Sequence, residues 1–167
     1  MKPVKPYPTM RGYFAYYVYE AMEKNNDIFV VLPDLGKGMF DSIRDDFPDR
    51  VIITGAAEQA CVDLAVGLAL SGKIPIVYTI TPFLIFRAFE SIRNYINREN
   101  LNVKLVGSGR DKDYDQDGFS HYAIDVPQAL GMFGNIVEYY PEDKEEMKWL
   151  VGEMIKHDEP MFISLRR

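Results

Sequence analysis

Three groups of side chains in this sequence have types and spacings that can do chemistry. The first is a lone carboxyl, Glu58. It follows the turn Thr54-Gly55-Ala56-Ala57, between a β-branched run (Val51-Ile52-Ile53) and a run of small apolar residues. An acid in the first turn of a helix complements the helix dipole, at roughly 0.3–1 kcal/mol. The alternative is a carboxyl held at the C-terminal edge of a sheet, where open α/β sheets place their ligand sites. The second group, Phe83, Phe86 and Phe89, recurs every third residue and falls on one side of a helix. Such a stripe is either core or an aromatic wall for a flat ring. The third is Asp117 and His121, at the end of a Gly- and Asp-rich stretch that follows a strand. A neutral His donates to a carbonyl or alkoxide as charge develops, and an Asp accepts from a hydroxyl, so the two can serve a polyol in one cleft. Asp111, Asp113, Asp115 and Asp117 alternate as in a calcium loop, but the twelfth position counted from Asp111 is Tyr122, not Glu, and no metal site is expected.

Holding Glu58 at a sheet edge needs a strand before it and a helix after it. Residues 50–53 supply the strand and Thr54-Gly55 break it. Residues 57–71 repeat apolar side chains at helical spacing (Cys61, Leu64, Ala65, Leu68), and Gly72 suits the left-handed position that ends a helix. Residues 74–78 predict a second strand, and a helix runs from Phe83 to about Arg98. Upstream, Thr9 is a candidate N-cap for a helix over 10–24, and residues 28–32 fit a buried strand. The first helix carries Tyr13, Phe14, Tyr16, Tyr17 and Tyr19, a thick aromatic core or a partner-facing surface. Pro33-Asp34-Leu35-Gly36 follows the strand, where Asp34 can make an Asx-turn. A short helix over 39–45 leads into the Glu58 region. Downstream come a strand at 102–106 and an aperiodic stretch at 107–125, of a kind that in compact domains is functional or disordered. A strand at 136–139, a helix opened by Pro141-Glu142-Asp143 and a last strand at 161–165 complete the chain. Strands alternating with helices predict an α/β fold with a mostly parallel sheet and helices on both faces. Residues 1–8 read as an extended arm, and 9–167 as a single domain.

Composition bounds the function. A chain of 167 residues with 47% hydrophobic and 26% charged residues is long enough for a real core. A net charge of −6 argues against nucleic acid as a partner. No apolar run reaches membrane-spanning length, and the N-terminus shows no apolar signal segment, so a cytoplasmic protein without membrane attachment is expected. Cys61 is the single cysteine, which leaves no disulfide framework, and its place on the apolar helix face predicts burial.

The stretch FPDRVIITGAAEQACVDLAVGLALSGKIPIVYTITPFLIFRAFESIR resembles the pyrimidine-binding domain of transketolases and is similar to the related domain of deoxyxylulose-phosphate synthases. The shared order is an Arg-Val strand, Gly55, Glu58-Gln59, a small-residue helix, Gly72 with Pro75, an apolar strand, and Phe83-Leu84-Ile85-Phe86. The likeness extends from Arg11 to Arg167. It implies a thiamine-diphosphate-binding fold and thiamine diphosphate as cofactor. That cofactor supplies its own base through its 4′-amino group, so the protein must offer a carboxyl at N1′ and press the two rings together. By this resemblance Glu58 is the carboxyl, and Phe86 stacks on the pyrimidine with Phe83 and Phe89 in support. Asp34 and Leu35 would touch the thiazolium region. The segment Asp117-Gly118-Phe119-Ser120-His121 matches one whose Asp and His face the substrate's hydroxyls and carbonyl, and Arg167 matches an Arg that binds substrate phosphate.

Departures from the family pattern shape the rest of the expectation. Gly109 stands where transketolases place a phosphate-site His, which favours a donor without a phosphate or with another anionic handle. The Gly-Asp-Gly motif and spaced Asn that hold the diphosphate through Mg2+ (or Ca2+) are absent, as is the family's last domain. The resemblance therefore implies a split enzyme. A separate diphosphate-binding subunit, resembling the N-terminal part of a transketolase, would hold the metal within a homodimer or heterotetramer. This chain, inactive alone, would contribute to two-carbon ketol transfer from a sugar-type substrate. The alternatives are a deoxyxylulose-phosphate-synthase-like carboligase subunit, a non-catalytic paralogue that binds a partner chain, and a flavodoxin-like module, for which Asp34 to Gly38 is a poor phosphate loop.

Overall fold

The computed structural model describes residues 5–167, so the first half of the predicted arm lies outside the described residues; residues 5–8 are exposed and form neither helix nor strand. Six strands follow: β1 (Ile28–Leu32), β2 (Val51–Ile53), β3 (Ile74–Ile80), β4 (Lys104–Ser108), β5 (Val137–Tyr139) and β6 (Met161–Leu165). All pair in parallel, in the order β2-β1-β3-β4-β6-β5. The helices are α1 (Met10–Met22), α2 (Asp41–Asp46), α3 (Glu58–Leu70), α4 (Thr81–Arg87), α5 (Phe89–Ser91) continuing as a π-helical turn (Ile92–Asn97), α6 (Val126–Leu130) and α7 (Lys144–Lys156).

Strand alternation sends side chains to two cores. Ile28, Val30, Leu32, Ile76, Tyr78, Val106 and Ile163 pack under α1 and α7. Val31, Val77, Leu105 and Phe162 pack on the other face, under α3, α4 and α6. The sheet is thus covered on both sides, as a parallel sheet must be. The aromatic excess of α1 goes into the first core: Phe14 and Tyr19 are buried, with Tyr13 and Tyr17 packed against the same cluster.

The predicted caps form. Thr9 Oγ1 accepts from Gly12 N–H at 3.1 Å and opens α1. Gly72 adopts φ +77°, and Lys73 N–H bonds back to Leu68 O at 3.0 Å, closing α3 with a Schellman turn.

Most expected elements shift by one to two residues at their ends, and three stretches differ in ways that bear on the site. The fourth strand is Lys104–Ser108, not 102–106. Lys104 is wholly buried within it because its Nζ donates to the carbonyls of His157 (2.8 Å) and Glu159 (2.7 Å). Gly107 pairs with Thr79 and Ser164 in the sheet, and a Cβ there would meet Thr81 Oγ1 at 2.4 Å, which leaves room only for glycine. The helix expected to run from Phe83 to Arg98 is broken at Ala88 (φ −110°, ψ 17°). The stretch at 107–125 is ordered by two 3-10 turns, Asp115–Asp117 and Phe119–His121. Its anchor is Asp113, which accepts from Arg110 N–H (3.0 Å), Arg166 Nη1 (3.1 Å) and Arg167 N–H (3.1 Å). Burial alone would raise the Asp113 carboxyl, but these donors outweigh it and hold its pKa below the usual carboxylate value.

Candidate functional site

Because every strand runs the same way, all C-terminal strand ends share one edge. Asp34 and Leu35 follow β1, Glu58 follows β2, α4 follows β3, the loop with Asp117 and His121 follows β4, and Arg167 follows β6. The chain order reverses at β1, which lies between β2 and β3. Open α/β sheets form their crevice at such a switch point.

Glu58 is the first residue of α3 and only 5% exposed. Its carboxylate is not left unpaired. Arg87 Nη1, from the last residue of α4, donates to Glu58 Oε2 at 2.8 Å. The same guanidinium lies over the Phe83 ring, with Cζ 3.5 Å from the centroid. Phe83 in turn meets His121 edge-on, with centroids 4.8 Å apart. The His121 ring lies 6.2 Å from the Tyr114 ring, and Arg167 Cζ sits 4.7 Å from the centroid of that same tyrosine. A continuous line of contacts therefore runs Glu58, Arg87, Phe83, His121, Tyr114, Arg167 along the sheet edge.

The three phenylalanines separate. Phe83 belongs to this line. Phe86, one turn along the same helix from Phe83, is 44% exposed. Phe89 turns away, its centroid 5.1 Å from Phe133, and packs against the core under α3 and α4. The break at Ala88 separates Phe89 from the other two, which share α4. Asp34 and Asp117 are exposed and Leu35 is half-buried. Ser120 Oγ lies 3.1 Å from His121 Nδ1. Among the described residues no three His, Cys, Asp or Glu side chains converge as metal ligands. Cys61 is buried, as expected, with its Sγ 2.9 Å from Thr54 Oγ1 and burial pushing its thiol pKa up.

Two residues at the centre of this line were not singled out in the sequence. Arg87 had a legible signal, since it lies four residues after Phe83 and so shares its helix face. Tyr114 had none: an aromatic in an aperiodic loop has no sequence mark of where it folds back. Its hydroxyl is 2.7 Å from Ser108 Oγ and accepts from Arg11 Nη1 at 3.0 Å, tying α1 to the loop.

Residues 7–167 match the family described as transketolase, pyrimidine binding domain. The chain belongs to that family. The match spans every element described above and sets aside the flavodoxin-like reading. The chain is 36% identical over 120 residues to one of the subunits of the apulose-4-phosphate transketolase of Actinobacillus succinogenes, covering 72% of this chain and 39% of that protein. It is 28% identical over 162 residues to a putative transketolase C-terminal section of Methanocaldococcus jannaschii, covering 96% and 51%. A solved structure described as a split gene transketolase, inactive beta4 tetramer, superposes with a TM-score of 0.83 at 31% identity, over 95% of this chain and 51% of that one. The chain spans no more than about half the length of either curated relative. In this transketolase pyrimidine domain the contact line joins Glu58, Phe83, His121 and Arg167 through Arg87 and Tyr114, and Phe89 lies outside it.

Proposed function

We propose that this chain is the pyrimidine-binding part of a split, thiamine-diphosphate-dependent transketolase, completed by a separate diphosphate-binding subunit that holds the diphosphate and its Mg2+ or Ca2+. One observation carries the reading: a buried carboxylate, Glu58, faces a flat nitrogen cation that already rests on an aromatic ring at the sheet edge. The guanidinium of Arg87 is a stand-in for an aminopyrimidine, which is also planar, also rich in N–H donors, and also suited to an aromatic face. The residues present therefore fit the ring the family implies.

When bound, thiamine diphosphate supplies the nucleophilic carbon that accepts and hands on a two-carbon unit. Glu58, 5% exposed, would hold the proton shared with the pyrimidine N1′. Phe86 and Phe83 wall the ring. Asp34 and Leu35, at the end of β1, line the thiazolium side. His121 donates to the substrate carbonyl oxygen as charge develops there, and Asp117 accepts from a substrate hydroxyl. Arg167 holds the anionic end of the donor. The Tyr114 ring packed against Gly109, where transketolases place a phosphate-site His, supports a ketose donor whose handle is not the ordinary sugar phosphate. The relatives named as a transketolase subunit and as a split gene transketolase support the division between two chains.

The test is titration calorimetry with thiamine diphosphate and Mg2+. The isolated chain is expected to bind weakly or not at all. The same chain co-expressed with a diphosphate-binding partner that carries Gly-Asp-Gly and a spaced Asn is expected to bind tightly and transfer a ketol unit. Tight, Mg2+-dependent binding by the isolated chain would contradict the split arrangement.

A further inference from the structure

We infer that Arg87 occupies the pyrimidine seat in the cofactor-free chain and that the cofactor must displace it from both Glu58 and Phe83 to enter. The inference rests on the function proposed above and adds a competitor to it.

A carboxylate 5% exposed and unpaired is expensive, because burial removes its water and returns nothing. Before any cofactor arrives, Glu58 needs a cation, and Arg87 supplies one at 2.8 Å. The two contacts Arg87 makes are those that a pyrimidine ring would need. One is an N–H to Glu58, and the other is a planar face on an aromatic ring at 3.5 Å. The same carboxylate oxygen cannot serve both groups at once, and the guanidinium covers Phe83, one of the two rings that wall the pyrimidine in the function proposed above.

Arg87 is also able to leave. Its side chain is 48% exposed, so the guanidinium can move into water on its flexible stem without opening the core. Lys could pair with Glu58 but would not reproduce the flat stacked contact, so the residue type matters. Competition of this kind lowers apparent affinity by the fraction of time the seat is free. A seat filled by Arg87 nine-tenths of the time would weaken pyrimidine binding about tenfold.

Free thiamine tests this in the chain as it stands, because it carries the pyrimidine without the diphosphate that the partner holds. Binding is followed by amide NMR shifts of Glu58 and Phe83 in wild type, Arg87→Met and Arg87→Lys. The expected order of affinity is Arg87→Met tightest, at least tenfold tighter than wild type, with Arg87→Lys between them. Raising the salt should narrow the gap, because it screens the ion pair. A second measurement reads the contact without any ligand: the Arg87 Nε–H signal should shift in Glu58→Gln. Equal or weaker thiamine binding by Arg87→Met, binding by none of the three chains, or an Arg87 signal unmoved in Glu58→Gln would each overturn the inference. The function itself is judged separately, by cofactor proton exchange in the reconstituted enzyme, so the two can fail independently.

Discussion

Tyr114 fills the space that a side chain at Gly109 would need: a Cβ on Gly109 would lie 2.3 Å from the Tyr114 ring. Gly109 also has φ +86°, and its carbonyl accepts from Thr81 Oγ1 at 2.6 Å. The glycine, the tyrosine and the threonine therefore fix one another where the loop leaves β4. The site departs from the family pattern here through a matched pair rather than a single lost residue.

Gly109→Ala should be destabilising through two separable effects. The left-handed backbone costs an L side chain roughly 1–2 kcal/mol, and the ring must shift by about as much again in energy. Urea unfolding should show a loss of about 2–4 kcal/mol. In a Tyr114→Ala background the same change should cost only about 1–2 kcal/mol, the backbone part. Equal costs in both backgrounds would mean that Tyr114 does not press on this position.

Lys104 predicts a pH dependence of stability. Burial lowers its pKa from 10.5 to about 8. The neutral amine still has two N–H donors for the carbonyls of His157 and Glu159. Since the folded pKa lies below the unfolded one, the folded state binds fewer protons between those values, and stability must rise with pH across that window. Between pH 8 and 10 the gain should be on the order of 2 kcal/mol, and it should vanish in Lys104→Met. Tyr19 and Tyr78 oppose the trend only above pH 10, because their hydroxyls are pushed up to about 12, by the bond to Asp46 and by burial respectively. A flat wild-type profile from pH 8 to 10 would contradict the buried-amine account.

Phe86 and Phe89 should separate binding from folding. Phe89→Ala removes a ring packed on Phe133 and should cost about 2 kcal/mol of stability, less than a fully buried Phe. Phe86→Ala should change stability by no more than about 0.5 kcal/mol, yet weaken cofactor binding in the reconstituted enzyme by roughly 1–3 kcal/mol. Chemical denaturation and calorimetry on both variants read the two effects, and a reversal of the pattern would exchange their roles.

The fold was legible in the sequence where local chemistry decides it. Thr9, Gly72 and the runs Ile28–Leu32 and Met161–Leu165 each carried their own signal of cap or strand. The placement of Glu58 before a helix was legible for the same reason. What was not legible depended on partners far along the chain. A strand over Lys104 was expected, but the full burial of its amine rests on the carbonyls of His157 and Glu159, far along the chain. The break at Ala88, which turns Phe89 into core and leaves Phe86 open, leaves no trace in the spacing of the three rings. Tyr114 is held at the site by Arg11, far back in the chain, a contact that no window of neighbouring residues contains.

The loop residues should act on substrate rather than on cofactor. His121→Ala is expected to lower turnover by on the order of 10²-fold, with cofactor affinity almost unchanged. Asp117→Asn should act in the same direction. Arg167→Ala should raise the apparent substrate constant for donors with an anionic end and leave neutral ketoses unaffected. A panel of phosphorylated, otherwise anionic and neutral ketoses, assayed with the partner subunit present, reads all three. A strong wild-type preference for ordinary ketose phosphates would contradict the donor class inferred from Gly109 and Tyr114.

Exchange of the cofactor's C2 hydrogen for deuterium reports most directly on whether Glu58 shares a proton with the pyrimidine of thiamine diphosphate. In the enzyme reconstituted with its diphosphate-binding subunit, exchange should be fast with wild-type chain. With Glu58→Gln it should fall by on the order of 10²-fold or more, while folding and assembly are retained. Unchanged exchange in Glu58→Gln would contradict the account and leave Glu58 as a helix-dipole partner of α3.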